Sequence, residues 1–112
     1  MNILNFYPYY ESYLRSRTKT TTFRIHAPGI KPGDIVQLTV GWNETEVCEL
    51  HSAEIVSVYP KRISSLDAED FDGESPDCRA PEPTALVLSA IYRTNVEQCD
   101  TVWVVKFKHL EN

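Results

Sequence analysis

The chain has no apolar run long enough to cross a bilayer; its longest, Ala85 to Ile91 and Val102 to Val105, fall far short. The start, Met1-Asn2-Ile3-Leu4-Asn5, lacks the basic opening and long apolar stretch of a signal peptide. A cytoplasmic location without membrane contact is therefore expected. The three cysteines, Cys48, Cys78 and Cys99, are odd in number and irregularly spaced, which fits neither a disulfide framework nor a zinc motif. His26, His51 and His109 form no ligand pair on one element, so no metal and no cofactor is expected. A basic excess is missing too, since the net charge is −5. That balance disfavours a long nucleic-acid track and favours a small ligand or a brief RNA contact. No repeat and no second composition regime divides residues 1–112, which read as one domain.

What is present is a concentration of polar chemistry in Arg17-Thr18-Lys19-Thr20-Thr21-Thr22-Phe23-Arg24. Purely structural strands seldom need Lys, Thr and Arg packed so closely. In a regular strand Thr20, Thr22 and Arg24 share one face, while Thr21, Phe23 and Ile25 share the other. Phe23 and Ile25 mark the second face as core, so Thr22 and Arg24 point together into a polar cleft. Lys19 sits at the preceding turn, where its long side chain can fold towards Thr22. A lysine amine beside a threonine hydroxyl is a nucleophile–base pairing, provided the amine can be neutral. A carboxylate is still needed for the second proton transfer. Asp67, Glu69, Asp70, Asp72 and Glu74 are candidates, and nothing local chooses among them. The bland alternative pairs Arg24 with Asp34 and leaves the threonines as ordinary strand residues.

Around this stretch the pattern is α+β. Phe6, Tyr9, Tyr10, Tyr13 and Leu14 recur at helical spacing and predict a helix from Pro8 to Ser16. Its aromatic stripe reads as core packing, with base stacking by one tyrosine as the minority reading. Strands are expected at Thr20 to His26, Ile35 to Val40, Val47 to Tyr59 and Thr101 to His109. The third is bulged near His51-Ser52 and ended by Pro60, and Gly41-Trp42-Asn43-Glu44 forms a hairpin tip. A helical turn from Ser65 to Asp70, capped by Ser64 or Ser65, precedes a polar loop from Asp72 to Pro83 and a helix from Pro83 to Tyr92. The loop reads equally as a flexible lid or a surface insertion. With hairpin connections and no βαβ rhythm, the expected architecture is a small, mainly antiparallel β-barrel with two or more short flanking helices.

The stretch Lys19-Thr20-Thr21-Thr22-Phe23-Arg24, followed by Gly33-Asp34-Ile35-Val36, resembles the ASCH domain family, whose fold is a PUA-like β-barrel. Ile91-Tyr92 and Trp103-Val104-Val105-Lys106-Phe107-Lys108 resemble that family's closing elements. In length and layout the chain is most similar to its small bacterial N(4)-acetylcytidine amidohydrolases. The resemblance implies a nucleoside-amide substrate, with Thr22 as nucleophile, Lys19 as base and Glu74 as acid/base, Glu69 being the fallback. It also implies Arg24, Arg17 and Thr20 as substrate-contacting residues and no obligate protein partner. The family's glycine before the basic residue is replaced here, with Arg17 two places before Lys19. The alternative is an RNA-binding module or weak ribonuclease using Arg15, Arg17, Lys19 and Arg24, with Lys61 and Arg62.

Overall fold

The computed structural model describes residues 2–43 and 45–111. Met1, and Glu44 of the expected hairpin tip, lie outside the described residues. Five strands form one sheet: β1 (Asn2–Phe6), β2 (Thr21–Arg24), β3 (Ile35–Val40), β4 (Cys48–Arg62) and β5 (Thr101–His109). Their order across the sheet is β1-β3-β4-β5-β2; all pairings are antiparallel except β1 with β3. The sheet curls into a half-barrel, and short helices complete an α+β fold. The helices are α1 (Glu11–Arg15), entered through a 3₁₀ turn at Pro8–Tyr10, α2 (Ala68–Phe71) and α3 (Pro81–Tyr92).

Two bulges bend β4. Gln37 faces Ser52 but Thr39 faces Glu49, so an extra residue sits at Leu50–His51, where the sequence placed it. A second lies between Ile55 and Ser57 against β5. Contrary to expectation, Pro60 does not end the strand; it pairs with Trp103, and β4 runs on to Arg62. β3 accompanies β4 only between Cys48 and Glu54, so Pro60 lies on an open edge where a missing N–H breaks no ladder. The N-cap of α2 is also not Ser64 or Ser65, which belong to a 3₁₀ turn. Asp67 caps it, accepting from the Glu69 and Asp70 backbone N–H groups, while Asp70 returns the bond to Asp67 N–H.

Strand β5 is apolar on both sides because alternate residues serve different cores. Val105 and Phe107 join Leu4, Phe6, Leu14 and Leu38 in one cluster. Val102 and Val104 join Phe23, Ile63 and Leu88 in the other. The seam between these clusters is where the polar chemistry lies.

Candidate active site

A cavity of about 200 Å³ opens at that seam. Phe6 and Tyr10 of the first core and Phe23 and Leu88 of the second form its apolar walls. Lys19, Thr22, Arg24 and Glu74 line it as well. Thr22 and Arg24 of β2 both reach it, but so does Phe23 between them, so strand alternation alone does not separate the polar from the apolar lining; Lys19 comes from the turn before the strand. Glu69, by contrast, is exposed on α2.

Lys19 and Glu74 are both almost fully enclosed, and their Nζ and Oε1 are in direct contact. Lys19 Nζ also donates to Ser75 Oγ at 2.9 Å and lies 4.8 Å from the centre of the Tyr10 ring. Ser75 N–H donates to Glu74 Oε1 at 2.8 Å. Burial pushes the Glu74 carboxyl above its ordinary range, and the opposing pull of Lys19 and Ser75 does not restore it. The Thr22 hydroxyl is engaged by no hydrogen bond within the protein among the described residues. The Thr22 hydroxyl, Lys19 and a carboxyl raised by burial thus line one small cavity.

The segment carrying Glu74 is neither lid nor surface insertion. Gly73, at φ +84°, turns it back onto the sheet, where its carbonyl accepts from Thr20 N–H and Thr21 N–H at 2.8 and 3.1 Å. Lys106 Nζ, reaching across from β5, donates to Thr21 Oγ1 and to the Glu69 and Asp72 carbonyls. Together these bonds form a strap that fixes Glu74 and Ser75 against Lys19. On the other side, His109 Nε2 lies 2.7 Å from the Lys19 carbonyl. A carbonyl only accepts, so that nitrogen carries the hydrogen. His109 Nδ1 in turn lies 2.6 Å from His51 Nε2, two histidines that the sequence kept apart. Among the described residues no three His, Cys, Asp or Glu side chains gather as a metal site.

Arg24 does not pair with Asp34. Its Nη2 donates to the Asn5 carbonyl at 2.9 Å, and its guanidinium lies 4.8 Å from the centre of the Phe6 ring. Desolvation pushes its pKa below the ordinary value. Arg17 and Thr20 do not line the cavity. Arg17 is exposed, donates to the Leu110 carbonyl and adopts φ +63°. A glycine would adopt that left-handed conformation without a Cβ penalty. Thr20 serves the strap through its backbone. Ser75, Tyr10 and Asn5 are the site residues that sequence reasoning missed. Only Tyr10 left a signal, as one member of the aromatic stripe.

No family model and no curated protein sequence matches the chain. Its fold is similar to that of a crystallised Enterococcus faecalis V583 protein described by the family model DUF984. The TM-score is 0.65 at 14% identity, covering 88% of this chain and 68% of that one. No helix among the described residues is long and apolar enough to cross a membrane.

Proposed function

We propose that this protein is an amidohydrolase that removes the acyl group from N(4)-acetylcytidine or a related nucleoside amide. The observation that carries the reading is the convergence of the free Thr22 hydroxyl with the enclosed Lys19–Glu74 pair on one cavity. The resemblance of the Lys19 to Arg24 stretch to the ASCH motif supplies the substrate class. A carboxylate made more basic by burial can take the ammonium proton of Lys19. The amine so freed accepts the Thr22 proton as Oγ1 attacks the acetamide carbonyl. The proton then passes to the departing cytidine nitrogen, with Glu74 assisting, and the C–N bond breaks. Water, deprotonated by the same pair, cleaves the acetyl–Thr22 ester to acetate and restores the hydroxyl.

The alternative RNA-binding reading draws on cations that the fold disperses. Lys19 and Arg24 turn inward, Arg15 pairs with Glu11, and Lys61 pairs with Asp67 and Asp70. Incubation of the purified protein with N(4)-acetylcytidine, followed by chromatography for cytidine, tests the proposal. Release by the wild type should disappear in Lys19→Ala and in Thr22→Ala, both still folded. Turnover retained in either variant would sink the mechanism, and no release by the wild type would sink the function.

A further inference from the structure

A second cavity, of about 530 Å³, adjoins the first and shares Asn5, Arg24 and Tyr92 with it. Its other walls come from Ile3 and Leu4 on β1, from His26 and Pro28 just beyond β2, and from Val47. The first cavity alone is smaller than the roughly 300–1,000 Å³ of sites that enclose a whole small molecule. The two joined fall within that range.

Arg24 stands at the junction. One of its nitrogens serves the Asn5 carbonyl, and no carboxylate pairs with it among the described residues. A guanidinium offers five N–H donors in a fixed fork, so most of its capacity is left for a ligand. Glu74 acts on Arg24 through space without bonding to it, and a desolvated cation with no bonded counter-charge is costly unless something negative or rich in acceptors joins it. The second cavity adds a further donor, the exposed imidazole of His26, and no Asp or Glu lines it. An anionic group entering there meets donors and no opposing carboxylate.

We infer that the two cavities are the arms of one site, and that the second arm takes the ribose and 5′-phosphate of a cytidine nucleotide. The inference rests on the reading of the first arm as a cytosine-amide site. With the base in that arm and its exocyclic nitrogen towards Thr22 and Lys19, the sugar leaves past the three shared residues. The phosphate then lies within the province of Arg24 and His26. The preferred ligand is a phosphorylated nucleoside, ahead of the free nucleoside or base.

Titration calorimetry at low salt with cytosine, cytidine and cytidine 5′-monophosphate tests this without requiring turnover. Affinity should rise in that order, with at least about a tenfold step for the phosphate, as a charge-assisted hydrogen bond provides. His26→Ala, at an exposed position that does not endanger folding, should shrink that step severalfold, and Arg24→Gln should remove most of it. Equal or weaker binding of the monophosphate relative to cytidine, or no binding of either, overturns the inference. So does a phosphate step that survives both substitutions. A protein that binds the three in the expected order yet releases no acetate would lose the hydrolase reading and keep this one. One that hydrolyses N(4)-acetylcytidine without preferring the phosphate would do the reverse.

Discussion

Two lysine–carboxylate pairs anchor the segment from Asp67 to Glu74, one at each end, and their carboxyl groups are shifted in opposite directions. At the first, Lys61 Nζ lies 2.6 Å from Asp70 Oδ2 and 3.5 Å from Asp67 Oδ2, with the lysine partly open to water. Burial works against the Asp70 charge. The Lys61 ammonium, the Tyr59 hydroxyl at 2.5 Å and the Asp67 N–H outweigh it and hold the carboxyl at about 2. At the second, Lys19 and Glu74 are 2% and 3% exposed, and desolvation prevails over every donor Glu74 possesses. Each carboxylate has three donors, so what separates the two pairs is depth of burial: the Lys61–Asp70 pair lies nearer the surface, with its lysine partly open to water. Beside the cavity, where the carboxylate is deeply enclosed, desolvation prevails.

The sharpest way to break this comparison is Glu74→Gln, which should lower kcat/KM for N(4)-acetylcytidine by about 10²–10⁴-fold, the usual share of an acid–base group. In the wild type, activity should fall on the acid side as Glu74 takes up a proton. Because burial raises its pKa, that limb should lie above the ordinary 4.5. A limb at or below that value, or one unchanged in the variant, would put Glu74 in the same class as Asp70.

Next in size is Gly73→Ala. The residue holds φ +84°, and a Cβ there would collide with Thr20 Oγ1. Backbone strain of this kind costs on the order of 1–3 kcal/mol, readable as a lower urea midpoint. An unchanged midpoint would show that the strap is not packed against β2 as described.

Comparable in size at neutral pH, and opposite in its pH signature to Glu74, is Asp70→Asn. Its carboxyl is depressed from 3.8 to about 2, which corresponds to about 2 kcal/mol of stability at neutral pH. A depressed acid contributes fully above its unfolded pKa and loses that contribution as pH falls through its folded one. The wild type's advantage should therefore be complete above pH 3.8 and vanish as the pH falls through about 2. Urea unfolding of both proteins at neutral pH and at the acid end measures it, and a pH-independent difference would mean the clamp is not electrostatic.

What could be read from the sequence was whatever strand parity and local apolar runs control. The bounds of β3 and β5 match the expected Ile35 to Val40 and Thr101 to His109, and Thr22 and Arg24 do reach one cavity, although Phe23 between them reaches it too. β1 was not legible, because a parallel partner to β3 announces itself by no turn and offers only Leu4 and Phe6 as buried residues. Ser75 was hidden because its value lies in bonding two side chains that meet only in the folded protein. Arg17 was drawn towards the site by its charge, whereas its backbone conformation sends it to Leu110.

The position of β2 governs when the site can come into existence. It lies at the end of the sheet, hydrogen-bonded to β5, with Thr21 opposite Lys106 and Arg24 opposite Trp103. Contacts spanning so much of the chain close late, since the entropy of the intervening loop must be overcome first. During synthesis Lys19, Thr22 and Arg24 precede the β5 residues, so β2 has no sheet partner until those have left the ribosome. A nascent chain lacking that strand holds most of the site's residues but not the partner that ties β2 into the sheet.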